Sequence, residues 1–482
     1  MKNPLLCLAL VTAALAQPNV APTEAKVGPP RGEAIEGGAY TLFNSFETGY
    51  RFANVDGNSG KYRSDVNFRN GIRLLGSGFS VYSKEGKGRW FDELTLNTLG
   101  LGNEPYQSAN FRVSKNKLYR YDLLWRENAY YNPGLVFLAP DPSYLHRLDT
   151  THRLQDHTLT LRPQSALQFF VGYSRNSQSG AGLSTTQLFD SRGNEFNYFS
   201  DVRRQQNEVR FGGEVKAAGL KLFWQRGYEW FKDDPREFTM QSSTGLNPNV
   251  TSTGLTSLQR GQPWRGDAPS WRLNLMTEKK QWFAVSGRFS HVIGRRDFIL
   301  NEAALGTGRF GAVQNRQYLL FGTGRRPVTT GNLTFSLFPN EKLTLSNHSA
   351  FHSTRMEGDS SYREFNNGSP GIANLDFQFL GIRAFTNTTD ANYAFNRQFS
   401  VFSGYQFTDR RVRSIEQNGP LDNSFPADRL AAEQSNRLHT GLFGVRLRPL
   451  KPLQINLDAE VSRADRPFYT LSERNYHTLG AR

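Results

Sequence analysis

Cysteine is nearly absent. The chain has one, Cys7, together with only 4 methionines in 482 residues. That excludes a disulfide framework and a cysteine-bound metal, and it leaves no paired cysteines to attach a c-type haem. Long apolar runs are also missing. No stretch reaches the ~20 residues that a membrane-spanning helix needs. Hydrophobic residues make up only 37 % of the chain. A soluble core of this size would draw more on Leu, Ile and Val. A chain of this length would ordinarily divide into roughly three domains, yet no linker or change of composition marks a boundary after the first forty residues.

The N-terminus has the parts of a secretory signal. Lys2 supplies the positive start, Leu5–Leu15 the apolar core, and Ala14-Leu15-Ala16 a small-x-small cleavage site. Residues 1–16 are therefore assigned as a signal peptide. Cys7 goes with it, so the mature chain has no thiol nucleophile. Residues 17–38, QPNVAPTEAKVGPPRGEAIEGG, are rich in Pro, Ala, Gly and Glu and are expected to be a disordered periplasmic tail. Residues 39–482 form the remaining unit. The formal net charge is +15. Nucleic acid is one partner for such charge, but export argues against it. Arginines facing a water-filled lumen or anionic lipid headgroups fit better.

Aromatic residues are abundant, with Phe 36 and Tyr 19, and they recur at a period of two. In KYRSDVNFRNGIRLL, Lys61–Leu75, the side chains of Tyr62, Val66, Phe68, Ile72 and Leu74 alternate with Lys61, Arg63, Asp65, Arg69 and Arg73. Such alternation places the two sets on opposite faces of a strand. The pattern returns in Tyr119–Trp125, Leu167–Tyr173, Leu220–Trp230, Leu333–Leu337, Phe399–Phe407 and Leu453–Val461. Short turns join many of these segments: LRPQSALQF, LFPNEKLTL and LRPLKPLQI each bend at a proline, which removes a ladder donor. Long polar stretches near 128–155, 177–203, 231–268, 294–325, 355–378, 410–435 and 464–475 separate the pairs and read as loops.

Alternating segments of ~10 residues, with short turns at one end and long loops at the other, mark an outer-membrane barrel. A bilayer leaves no water for unpaired backbone groups, so only helices or closed barrels cross it. The expected fold is all-β, a large transmembrane antiparallel barrel of roughly 16–19 strands in the bacterial outer membrane. Arg63, Arg69, Arg73, Arg120, Asp122 and Arg126 are expected to face the lumen. Tyr62, Phe68 and Ile72 are expected to face lipid. A soluble β-sandwich or propeller also alternates, but has shorter strands and seldom carries all its long loops on one side. Strand parity over the first hairpins does not fit a periplasmic N-terminus, so one early strand is misassigned. RNYHTLGAR, residues 474–482, starts as a strand and stops at Arg482 without a terminal aromatic. The expectation is a barrel that is C-terminally incomplete.

No motif carries chemistry. Gly306–Gly311 matches GxGxxG, but neither an apolar strand before it nor a helix after it is expected, and it reads as a loop. His348 and His352 would lie ~13 Å apart along a strand, too far to share an ion, and hydrogen bonding in the lumen is expected. Asp56–Gly60 is too short for a calcium loop and lacks the distal Glu. Trp125, Trp224, Trp230, Tyr121 and Tyr405 belong to an interfacial belt rather than a ligand site. No catalytic residue, metal ligand or cofactor is assigned.

FNSFETGYRFANVDGNSGKYRSDVNFRNGIRLL (43–75), the repeated LxPxxxLxL hairpins and the closing NYHTLGAR resemble the decahaem-associated outer-membrane barrels of the MtrB/PioB type. The resemblance implies a non-enzymatic sheath that houses a periplasmic multihaem cytochrome and passes electrons across the membrane. It implies no residue roles. Some members carry an N-terminal Cys-x-x-Cys, which the mature chain lacks. The other reading, from charge alone, is a general porin for small anionic solutes.

Overall fold

The computed structural model describes residues 32–134, 146–189, 193–277, 282–418, 428–450, 452–467 and 474–481. The assigned signal peptide lies outside them. The described residues form one antiparallel sheet of 21 strands. β1 (Ala34–Gly37) and β2 (Tyr40–Arg51) open it. β3 (Gly71–Ser83), β4 (Glu93–Gly102), β5 (Tyr106–Lys115) and β6 (Tyr119–Asn132) follow, then β7 (Leu148–Leu161), β8 (Leu167–Thr186), β9 (Phe196–Ala217) and β10 (Leu220–Asp233). Each pairs with its predecessor. β11 (Arg236–Phe238) and β12 (Gly254–Gly261) leave this path, β11 pairing with β9 and β12, and β12 also with β14. β13 (Trp264–Thr277) returns to β10. The up-and-down course then resumes through β14 (Phe283–Thr307), β15 (Val313–Asn340), β16 (Leu343–Asn366), β17 (Ser369–Ala394), β18 (Phe399–Asn418), β19 (Asp428–Leu450), β20 (Leu453–Ala464) and β21 (Asn475–Ala481). The fold class is the expected one, a large antiparallel sheet of the membrane-barrel type. The strand number exceeds the expected range because β1 and β11, of 4 and 3 residues, are too short to show a period.

The opening stretch corrects the sequence reading. Ser59–Asp65 is a helix, α1, rather than a strand. The Asn58 side chain caps it by accepting from the Lys61 N–H at 3.0 Å, and Lys61 pairs with Asp65 one turn on at 2.6 Å. Tyr62, Val66 and Phe68 therefore line no strand. Only from Gly71 does the chain extend. With this strand removed, the connections at 38–39, 116–118, 162–166 and 218–219 all fall at one end of the sheet, and the parity conflict vanishes. The segment after α1 covers an edge. β5 begins opposite Asn128, leaving the last residues of β6 open on that side. Asn67 Nδ2 donates to the Ala129 carbonyl at 3.2 Å, and the Ala129 N–H donates to the Pro105 carbonyl at 2.7 Å.

The stretches at 294–325 and 355–378 are likewise not loops. β14 and β15 continue to Thr307 and from Val313, and β16 and β17 to Asn366 and from Ser369. Polar and charged residues interrupt the apolar period here, and Glu302 and Ala304 are buried on one face of the β14 extension, yet the backbone ladders run on.

Register and burial separate two faces. On β8, Val171 is 53 % exposed and its neighbour Phe170 only 6 %. Val171 stands opposite Leu159 on β7 and Phe211 on β9, which are also exposed. The same outer face carries Leu222, Trp230, Leu273, Phe289, Leu333, Phe335, Leu345, Phe443 and Leu457. On strand after strand this apolar run ends in an arginine on the long-loop side: Arg175, Arg295, Arg325, Arg355, Arg383, Arg437 and Arg463. The run from Phe283 to Ile293 is ~33 Å along the strand, or ~25 Å of membrane height at a barrel's tilt. The inner face is polar, with Ser80, Thr95, Thr158, Ser270, Thr440 and Ser462 buried. A small hydrophobic core of Leu188, Phe196, Leu255, Leu258 and Ala304, packed with Phe189 and Tyr198, lies above the band among the extended strands.

Candidate functional site in the lumen wall

The inner face of β5–β10 holds a row of ion pairs. Arg112 on β5 stands opposite Asp122 on β6, with Nε 2.6 Å from Oδ1. Arg120 reaches the other oxygen of Asp122 at 3.0 Å. Two strands further, Arg210 bonds Asp156 at 2.6 Å and the Thr158 hydroxyl at 3.0 Å. Gly172 stands opposite Arg210, and its missing side chain leaves the guanidinium room. Glu214 next takes Lys221 at 2.9 Å. Each pair joins residues on the same face, on adjacent or next-adjacent strands or, for Arg120 and Asp122, two positions apart on β6, so the dyad pattern produces the row. The pairing compensates charges that a half-buried wall could not hold singly.

A cleft of about 370 Å³ opens above this row, on the same face. Arg204, Gln206, Glu229, Asp233 and Trp264 line it. Arg204 Nε holds Asp233 at 2.8 Å, Gln206 Nε2 donates to Glu229 at 2.8 Å, and the Arg296 guanidinium stacks 4.1 Å from the Trp264 ring. The Asp233 Oδ1 is buried with no hydrogen-bond partner. The cleft offers carboxylate, amide and indole groups to a polar occupant. It contains no nucleophile paired with a base.

The opposite wall differs. β15–β18 present Thr330, Thr334, Ser346, His348, His352, Thr386, Thr388, Gln406 and Thr408 inward. His348 and His352 lie on the inner face as expected, and His348 Nδ1 is 2.7 Å from the Thr334 hydroxyl. Ion pairs dominate the wall at β5–β10, whereas β15–β18 present mainly hydroxyls and imidazoles, with Asp390 and Arg410 among them.

The six residues assigned to the lumen divide. Arg120 and Asp122 belong to the ion-pair row. Arg126 shares their face and is exposed. Arg73 lies on β3, 5 % exposed, and pairs with Glu104, which also takes Arg51 at 3.2 Å. Its neighbour Ile72 points outward, 73 % exposed, as expected. Arg63 and Arg69 do not line a lumen strand. Arg63 lies on α1, 2.9 Å from Asp149 and stacked 3.8 Å from the Tyr131 ring. Arg69 sits in the link to β3. The helical cap and the loop that crosses to β6 take both away. The sequence reading missed Asp156, Arg204, Arg210 and Asp233. The alternation in β7–β10 held the signal, since their apolar partners fix the inner parity.

The extended strands carry a second cluster. Arg260 on β12 bonds Glu302 at 2.6 Å and Glu237 at 2.9 Å, and Arg316 bonds Glu302 at 2.6 Å. Burial lowers the Arg260 pKa, but the two carboxylates outweigh it and leave it raised. Tyr362 donates to Glu364 at 2.6 Å. Burial and that bond hold the phenol well above its ordinary value. Gly306–Gly311 crosses from β14 into the turn beside these groups. A strand does precede it, contrary to the sequence reading, but β15 follows instead of a helix.

No family model matches the chain, and no curated protein matches it. Solved structures similar to it include the ferric yersiniabactin uptake receptor FyuA from Yersinia pestis, with TM-score 0.40 and 10 % identity over 83 % of this chain and 68 % of that one. The ferric-catecholate import receptor Fiu from E. coli K12 in its open form has TM-score 0.33 and 8 % identity over 86 % and 80 %. The toluene transporter TodX from Pseudomonas putida has TM-score 0.24 and 12 % identity over 66 % and 83 %.

Proposed function

We propose that this chain is a non-enzymatic conduit in the bacterial outer membrane whose wall serves as a scaffold for what passes or sits within it. One observation carries the reading: the outer face is apolar over a membrane's height, and the inner face of the same strands is polar, with charges paired across β5–β10. Leaving aside β1, β11 and β12, eighteen of the described strands make up the wall, and walls of about 16 strands or more enclose an aqueous channel or a plugged lumen. The occupant we favour is a periplasmic multihaem cytochrome, in keeping with the resemblance of residues 43–75 and the hairpins to sheath barrels. A wall of paired charges and hydroxyls suits a protein surface, because it wets the occupant without a strong field of one sign.

The porin reading rests on the excess of basic residues. Planar-bilayer conductance separates the two. A sheath is silent or blocked when it carries its cytochrome, and haem absorbance travels with it through outer-membrane fractionation. Steady anion-selective conductance, with no haem in any fraction, would leave the porin.

A further inference from the structure

The outer wall carries a groove of about 410 Å³ across β13–β17, within the apolar band. Its sides are Leu273, Phe289, Leu333, Phe351 and Phe385, all on the outer face by register. Gly331 forms part of its floor. A Cβ there would meet only ordinary contacts, at 3.7 Å from Phe289, so the floor is kept low without backbone need. A flat lipid-facing wall needs no such hollow.

A cationic rim stands at its upper end. Arg383 is one outward position above Phe385 on β17, and its guanidinium lies 5.9 Å from the Phe351 ring. Arg383 is directly opposite Arg411 on β18, and Arg325 is directly opposite Arg295 on the far side. Like charges directly across a sheet repel. Arg411 has Glu433 at 3.5 Å and Arg295 has Asp267 at 3.6 Å. Among the described residues no carboxylate pairs with Arg383. The uncompensated charge therefore sits where the apolar groove meets the headgroup level.

We propose that this groove and rim bind a membrane lipid with an anionic, phosphate-bearing headgroup. One acyl chain lies between Leu333 and Phe351, and the phosphate sits between Arg383 and Arg411. Guanidinium forks match phosphate oxygens bidentately, and a bridging anion removes the Arg383–Arg411 repulsion. Arg325 stands opposite Glu357 on β16 at the far side of the rim.

The test uses the full-length barrel refolded in mixed vesicles of phosphatidylglycerol and phosphatidylcholine. It is then extracted in mild detergent, and the retained lipid is counted by native mass spectrometry. The wild type should retain phosphatidylglycerol preferentially. Each arginine removed, in R383Q and R383Q/R411Q, should lower that preference about fivefold. G331L should abolish retention of both lipids. Heat-modifiable gel migration reports that each variant has folded. R410Q, on the inner face of β18 beside Arg411, is the control and should change nothing. Equal retention of the two lipids by the wild type would overturn the proposal. So would an unchanged preference in folded R383Q/R411Q, or a protein dimer in place of lipid that G331L disrupts.

Discussion

Arg210 and Asp156 are 54 positions apart in the chain, yet the Nη2 of one lies 2.6 Å from the Oδ1 of the other. β8 runs between their strands, and Gly172 on β8 leaves the gap they bridge. The contact shows how this wall is held. Polar side chains on alternate residues meet across the sheet rather than along it.

Removing Arg210 should therefore cost more than a surface charge. Arg210→Ala leaves Asp156 beside Glu208 with no cation, and a loss of ~1–3 kcal/mol is expected. Gly172→Ala should show part of the same loss, because its Cβ would stand 2.6 Å from Arg210 Nε. Urea titration of the refolded barrel measures both. Wild-type midpoints in both variants would sink the account.

Val401→Arg and Ser400→Arg test the two faces. Val401 faces outward beside Val445 toward the short-turn end of the band, and its replacement should cost ~1–2 kcal/mol, less than at the midplane. Ser400 faces inward, opposite Arg446, so the second change should cost below ~1 kcal/mol even with that repulsion. Liposome-refolding titrations give the comparison, and equal defects would contradict the assignment of faces.

Gly444 on β19 stands under the Phe402 ring of β18, which occupies the space a Cβ would need. Gly444→Ala should displace the ring and destabilise the β18–β19 pair by ~1–3 kcal/mol. The double variant with Phe402→Ala should recover part of that loss. A double-mutant cycle on the thermal transition measures the coupling, and simple additivity would refute it.

Asp92 ties the turns at the short-connection end. Burial raises its pKa. Bonds from the Asn116 N–H at 2.8 Å, the Ser83 hydroxyl at 2.9 Å and the Gly88 N–H at 2.8 Å outweigh it and leave it below the ordinary value of 3.8. A lowered folded pKa means stability that is present above the unfolded value and lost as pH falls through the folded one. The Gly88 and Asn116 amides should stay protected from hydrogen exchange above the ordinary carboxylate value and open only as pH falls below it through the lowered folded value. Asp92→Asn should flatten that dependence. Protection that is equal in both proteins at every pH would refute the role.

The amino-acid sequence alone determined which side chains share a face. A period of two is written in the residues themselves, because one set must meet hydrocarbon and the other water. That made Ile72, Arg73, Arg120, Asp122, Trp224 and Tyr405 legible without coordinates. It failed at Ser59–Asp65, where the alternation persists but a local asparagine cap and an i,i+4 ion pair favour a helix. It failed again in the polar extensions of β14–β17, where interspersed polar and charged residues erase the period although the ladder continues. Only the tertiary structure decided which arginine meets which carboxylate, where the cleft at Asp233 opens, and that Gly331 and Phe385 share one groove. Those relations depend on register between strands far apart in the chain, and register is fixed by the whole sheet at once.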